Sequence, residues 1–317
     1  MQASGRLPSY VVVSPVKDEA AHLPRMAESI LAQTHRPIHW VIVDDGSSDG
    51  TDRIARQYAA NHEWITVVHR ESSERRARGA PVVHAFNAGL EAATRDGEIV
   101  VKLDGDLFIP SHYFEWLASA FRDEPRTGIA GGVVITDYGH RWELDSINLN
   151  TVTGAAKAYR RACLTDIGGL QPSMGWDGID EYAARARGWE VRTLTELQLL
   201  HYRPRGARQA WRHARWEEGH ANHFMGYRPT FMAVRVIYRM LVERPPIIGG
   251  LVIGASFAWY RLSRAPQVPD VEARRQLRHE QGMRLRAMLL GRRQQAQWRT
   301  SDGPAHRIQV PDTTPPT

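Results

Sequence analysis

Four β-rich runs constrain this chain more than any other feature: 10–14 (YVVVS), 40–43 (WVIV), 65–68 (ITVV) and 99–103 (IVVKL). They are apolar without alternation, as strands buried on both faces are. Between them apolar residues recur at helical spacing: Leu23, Met26, Ile30 and Leu31, then Ile54 and Tyr58, then Phe86 and Leu90. Such alternation predicts an α/β fold, a mostly parallel central sheet flanked by helices, whose ligands sit at the carboxyl ends of the strands. A fifth strand is expected at 128–135, and helical character at 155–167 and 178–187. Hydrophobic residues make up 42% and charged residues 24% of 317 positions, which excludes a disordered chain and allows a sizeable core. One cysteine, Cys163, excludes an internal disulfide framework and suits a reducing compartment. No apolar signal-peptide core precedes the first strand, so a cytoplasmic location is expected.

The strand ends carry the chemistry. "VIVDDGSSDGT" (41–51) passes from a buried strand into three aspartates. A calcium loop fits Asp45, Ser47, Asp49 and Gly50 but then needs a bidentate carboxylate where Arg56 stands. A phosphate-cradling loop needs glycines after the first strand, and "SPVKDEAAHL" has none. Ser47, Ser48 or Asp49 can cap the next helix, but a cap does not explain Asp44 and Asp45. Carboxylates at that point can accept hydrogen bonds from a base edge or a ribose. The fourth strand ends in "VVKLDGDLF", where Asp104 and Asp106 fall on one side of an extended backbone and Gly105 lets a bulky ligand approach. Such a carboxylate pair can hold Mg²⁺ or Mn²⁺ and leave coordination positions open for diphosphate oxygens.

Taken together, "VVVSPVKDEAAHL" (11–23), "VIVDDGSSDGT" (41–51), "AFNAGLEAA" (85–93), "VKLDGDLFIP" (101–110) and "TGAAKAYRRACLTDIGGL" (153–170) resemble the family 2 glycosyltransferases, which have the GT-A fold. The resemblance covers roughly residues 9–205. It implies that Pro15, Glu19, Asp44 and Asp45 contact the base and ribose of a nucleotide-sugar. It also implies that Asn87 and Lys102 line the donor pocket, and that Asp104 and Asp106 form the Asp-X-Asp pair, with Asp106 the more direct metal ligand. Inverting transfer needs a carboxylate that takes the acceptor's proton. In this family the base belongs to a Glu-Asp pair shortly before an Arg and a Gly. Here "GWDGIDEYAARARGWE" (175–190) puts Asp177 at that position and Trp176 where the Glu is expected. Asp180 and Glu181 form a second acidic pair one turn later, so Asp177 is favoured and Asp180 is its rival. His201, at another strand end, is the candidate third metal ligand. His220 and His223 read as a surface feature. Processive members carry Gln-X-X-Arg-Trp, and "RHARW" (212–216) has Arg212 in place of the Gln, which favours addition of a single sugar.

The expected organisation is a catalytic domain over 1–205, a basic and apolar helical region over 206–293, and a disordered tail over 294–317. Net charge is +6, and residues 201–244 hold nine arginines against three glutamates. Between Arg244 and Arg261 lie sixteen uncharged residues, too few for a confident spanning helix. An apolar hairpin beside the basic helix "FMAVRVIYRMLVER" suits attachment to the inner face of a membrane, or a helical pair packed on the catalytic domain or on a dimer partner. The expected activity is metal-dependent, inverting transfer from a nucleotide-sugar donor to a saccharide or lipid-linked acceptor in surface polysaccharide or glycolipid synthesis. The rivals are a sugar-1-phosphate nucleotidyltransferase and an inactive nucleotide-sugar-binding scaffold. Nucleic-acid binding has no recognisable module.

Overall fold

The structure is a computed structural model and describes residues 5–71, 80–138, 142–144, 150–202, 211–242 and 247–290. The expected tail over 294–317 lies outside these residues, as does the expected domain boundary near 205. Strands β1 (Tyr10–Val16), β2 (His39–Asp44), β3 (Ile65–His69) and β4 (Ile99–Leu103) alternate with helices α1 (Leu23–Leu31), α2 (Thr51–Asn61) and α3 (Ala80–Ala92). They are followed by β5 (Leu107–Phe108), α4 (Tyr113–Asp123), β6 (Thr127–Asp137), β7 (Trp142–Leu144), β8 (Ala156–Arg160), α5 (Arg161–Asp166), α6 (Trp176–Ala186) and β9 (Glu190–His201). Four further helices complete the described chain: α7 (Trp211–Phe224), α8 (Pro229–Val242), α9 (Ile248–Leu262) and α10 (Val271–Leu289).

The strands join in the order β3-β2-β1-β4-β8-β6-β9-β5, with β7 on β6. Pairing is parallel from β3 to β4, as the βα alternation requires. Beyond β4 the sheet is mixed. β8 runs antiparallel to β4 and β6, and β5 antiparallel to β9, while β6 and β9 are parallel. Helical character expected at 155–167 is therefore confined to α5. The short β-prone run "AKAYR" is a strand because it has a neighbour on each side, which a local pattern does not reveal.

Period-2 alternation sends successive side chains of the parallel strands to opposite, equally buried faces. Val12, Trp40, Ile42 and Val101 pack with α1 and α4 residues such as Met26, Ile30 and Phe114. Val11, Val13, Val41, Val43 and Val100 pack with Phe86 of α3 and with Trp176 and Ala184 of α6. The apolar stretch expected as a hairpin is one helix, α9, packed between α7 and α8. No helix among the described residues is long and apolar enough to cross a membrane. His220 and His223 are not a surface feature. His223 is buried against the Ala265 carbonyl, and His220 stacks on Tyr260 with ring centres 3.9 Å apart.

Candidate active site

Parallel pairing brings the loops after β1 and β2 side by side, and the acidic stretch ties them together. Ser47 Oγ accepts the Asp18 N–H (3.0 Å), Thr51 Oγ1 accepts that of Glu19 (2.8 Å) and Asp49 Oδ2 accepts that of Ala20 (2.9 Å). Asp18 Oδ1 in turn accepts the Ser48 N–H at 2.9 Å. Ser47 and Ser48 therefore do not cap α2. Its N-cap is Gly50 at φ 94°, without a side-chain cap bond, although Asp49 Oδ1 accepts the Thr51 N–H at 3.0 Å. This clamp fixes the turn carrying Pro15 and Glu19 against Asp44 and Asp45.

Asp44 is buried at the end of β2. Its Oδ2 accepts from His69 Nδ1 (2.8 Å) and its Oδ1 from the Ser47 N–H (3.2 Å). Asp45 pairs with Arg70 at 3.0 Å. His69 and Arg70 stand at the end of β3, where the strand-end rule applied to 65–68 would have found them. Ligand atoms of Asp44, Asp52 and His69 lie within 4.8 Å of one another, an Asp/His group able to hold a metal ion. Arg56 pairs with Asp52 Oδ2 at 2.8 Å, while Asp52 Oδ1 is buried without a hydrogen-bond partner. Asn87 is half-buried on α3, two residues before Gly89, whose Cα lies against Val13 and Val43.

The second acidic cluster meets the first at Gly105. A Cβ there would lie 2.7 Å from Val16 Cγ1 and 3.4 Å from Glu19 Cγ, so only glycine lets the DGD loop approach β1 so closely. Asp106 and His201 come together because Leu107 of β5 pairs with His201 of β9. Their Oδ2 and Nε2 atoms are 3.1 Å apart, and Thr136 Oγ1 lies 3.4 Å from His201 Nδ1. Lys102, buried in β4, donates to Asp104 Oδ1 and to the Gly154 carbonyl (2.7 Å). Surrounding protein and the Asp106 charge raise the Asp104 pKa against the opposing pull of Lys102 and His201. The structure thus brings Asp106 and His201 together as a carboxylate–imidazole pair, donor types that a divalent cation accepts, while Asp104 is held by Lys102 and does not join them in a group of three.

The acidic segment of α6 separates into two environments. Asp180 and Glu181 are buried around Lys157 of β8, whose Nζ lies 3.2 Å from both Asp180 oxygens and 3.0 Å from Glu181 Oε1. Tyr159 donates to Asp180 Oδ2 (2.6 Å), and the Val152 N–H donates to Glu181 Oε1 (2.7 Å). Burial pushes both carboxylates up, Glu181 to about 7, with Lys157 pulling the other way. Burial alone would lower the Lys157 pKa, but Asp180, Glu181 and Asp177 outweigh it and raise it. Asp177 is instead exposed in the first turn of α6. A Cβ on Gly154 would lie 3.2 Å from Asp177 Oδ2, and the Gly154 carbonyl takes the Lys102 ammonium that holds Asp104. Asp177 thus packs against the same Gly154 whose carbonyl holds Lys102. Trp176, in the place of the expected Glu, lies under the Lys102 and Lys157 ammonium groups, 5.3 and 5.8 Å from its ring centre.

Residues 11–168 match the family model described as Glycosyl transferase family 2. The chain belongs to glycosyltransferase family 2 through this segment. An uncharacterized glycosyltransferase of Nostoc sp. is 31% identical over 212 residues, covering 59% of this chain and 62% of that protein. A PGL/p-HBAD biosynthesis glycosyltransferase of Mycobacterium bovis is 28% identical over 166 residues, 51% of this chain and 62% of the relative. The chain thus spans less than two thirds of the length of these curated relatives. The GT-A fold of the family is also found in solved structures. A mannosyltransferase from Pyrobaculum calidifontis, in complex with GDP-Man and Mn²⁺, superposes with a TM-score of 0.54 at 20% identity, covering 92% of this chain and 82% of that one. Staphylococcus aureus TarS 1-349 with UDP gives 0.51 at 18% identity, over 80% and 72%. As in this fold generally, the carboxyl ends of β1, β2 and β4 converge on one rim. Pro15, Glu19, Asp44, Asp45, Asp104 and Asp106 all lie there.

Proposed function

We propose that this family 2 protein transfers a sugar from a nucleotide-sugar to a hydroxyl acceptor with inversion, assisted by a divalent cation. The observation that carries the reading is Asp177, the one open carboxylate of the α6 segment, packed against the Gly154 whose carbonyl holds the Lys102 ammonium that also binds Asp104. Asp44, Asp45, Glu19 and Pro15 receive the nucleoside, and Asn87 and Lys102 line the donor pocket. Asp177 takes the proton from the acceptor hydroxyl, whose oxygen bonds to the anomeric carbon as the bond to the diphosphate breaks. Asp106 and His201, with Asp104 close by in the chain, would hold Mn²⁺ or Mg²⁺, which when bound would supply positive charge for the departing nucleoside diphosphate. The Lys102 ammonium adds charge from the protein's own side. Asp180 and Glu181 position this segment through Lys157, which also donates to the Asp177 carbonyl. GDP-Man and UDP, bound by structural neighbours, support a nucleotide-sugar donor, and the PGL/p-HBAD name of a relative supports a saccharide or lipid-linked acceptor.

The test is donor turnover by the purified chain with Mn²⁺ across a panel of nucleotide-sugars. The expected result is hydrolysis or transfer with one donor, abolished in Asp106→Ala and lost without loss of donor binding in Asp177→Asn. Donor binding without turnover, with any acceptor tried, would leave a nucleotide-sugar-binding scaffold and overturn the reading.

A further inference from the structure

The C-terminal helices hold a second polar site, independent of the transfer chemistry. Where α7, α9 and α10 meet, an open cavity of about 690 Å³ is lined by His223, Arg261, Leu262, Arg264, Gln267 and Arg274. His223 is 3% exposed, and its Nε2–H donates to the Ala265 carbonyl at 3.0 Å. That leaves Nδ1 buried with no hydrogen-bond partner. Arg274 donates through one terminal nitrogen to Gln267 Oε1 (3.0 Å), and its Nε is likewise buried and unpartnered. An unsatisfied buried polar atom is costly, and both atoms belong to residues that line the cavity.

The charge around the cavity has the same sign throughout. Among the described residues no carboxylate pairs with Arg261, Arg264 or Arg274, and the nearby Asp270 is taken up by Arg187 at 2.9 Å. Arg278 lies alongside, with its Nε–H on the Gly226 carbonyl at 2.8 Å. Burial and the charges of Arg274, Arg228 and Arg261 push its pKa down. Convergent guanidinium groups without a carboxylate match the oxygens of a phosphoryl group, which accepts their forked N–H donors.

The surface next to the cavity indicates what carries that group. On α9, Gly250 packs on Val236 and Met240 of α8, and Ile253 and Ser256 lie against Gly219 of α7. The remaining arc of α9 at 100° per residue holds Ile248, Leu251, Trp259 and Leu262, all exposed, and Leu262 also lines the cavity. Ile237 and Leu241 of α8 are exposed as well. An apolar helix face with tryptophan, ending at a phosphoryl-binding arginine pocket, fits a bilayer interface. A second copy of the chain fits it poorly, since a two-fold contact would set the same unpaired arginines against each other. We infer that the His223–Arg261–Arg264–Arg274 cavity receives the phosphoryl headgroup of a membrane lipid, with the outer faces of α8 and α9 seated in the acyl boundary.

Vesicle co-sedimentation of the full chain tests this, using phosphatidylglycerol-containing vesicles, with inorganic phosphate as the free-anion probe. The cavity variant Arg261→Gln/Arg264→Gln/Arg274→Gln is compared with Arg36→Gln/Arg95→Gln/Arg126→Gln, which removes the same charge from the other half of the protein. Each membrane-facing arginine changes partitioning about fivefold, so the cavity variant is expected to lose on the order of a hundredfold and the control far less. Leu251→Ser/Leu262→Ser is expected to weaken binding as well, with its melting temperature retained because both residues are exposed. Equal loss in the two arginine variants would reduce the effect to bulk charge and overturn the proposal. Binding of inorganic phosphate without vesicle binding would overturn the lipid source, and binding of neither would overturn the site.

Discussion

Replacing Lys157 by Met tests whether the buried cluster on α6 is held by charge. The lysine is fully buried, and its ammonium touches Asp180, Glu181 and the Asp177 carbonyl. Methionine preserves the length of the stem but leaves two buried carboxylates facing one another. Removing one partner from a buried ionic cluster costs about 3–5 kcal/mol, because the remaining charges are uncompensated. The loss must depend on pH. Glu181 titrates at about 7 in the folded protein against an ordinary 4.5, a difference of roughly 3 kcal/mol between its two protonation states. For an acid whose folded pKa is raised, the native state binds more protons. Its contribution is then fully present below pH 4.5 and lost as pH rises through 7. Without Lys157 both carboxylates move further up, so the deficit of Lys157→Met should be small near pH 5 and full near pH 8. Urea unfolding followed by circular dichroism at the two pH values reads this as a difference in midpoint. A deficit below about 1 kcal/mol at pH 8, or an equal deficit at both pH values, would refute the electrostatic account.

Other substitutions separate chemistry from support. Asp177→Asn should reduce turnover by about 10²–10⁴-fold with stability changed by no more than about 0.5 kcal/mol, measured by kcat and by melting. Asp180→Asn should do the opposite in emphasis, losing several kcal/mol through the Lys157–Tyr159 network before any kinetic effect is assigned. His201→Ala and Asp106→Ala should each weaken Mn²⁺ binding by tenfold or more in a titration, and chelation of the wild type should abolish turnover while nucleoside diphosphate still binds. Gly132→Ala should lower the melting temperature, because a Cβ there would overlap the Leu197 carbonyl and come within 2.9 Å of the Tyr113 ring. A cost of about 1–3 kcal/mol is expected, along with weaker metal binding because β9 carries His201.

Much of the site was legible because it is local. A buried strand followed by Asp44 and Asp45, and another followed by Asp104 and Asp106, announce a ligand rim in any parallel sheet, since all strands in such a sheet end on the same side. The sequence by itself therefore determined the βα order from β1 to β4, both acidic clusters and the family. Tertiary structure alone decided which carboxylate of "WDGIDE" stands open. Lys157 and Tyr159 reach Asp180 only because β8 lies beside β4 and β6, a pairing its five residues do not advertise. The same holds for His201, brought to Asp106 by the β5–β9 pair nearly a hundred residues apart, and for the Ser47, Asp49 and Thr51 side chains, which clamp a neighbouring loop. Local pattern encodes burial and strand ends because these depend on near neighbours. Which charge is neutralised depends on partners that only the folded sheet brings within 3 Å.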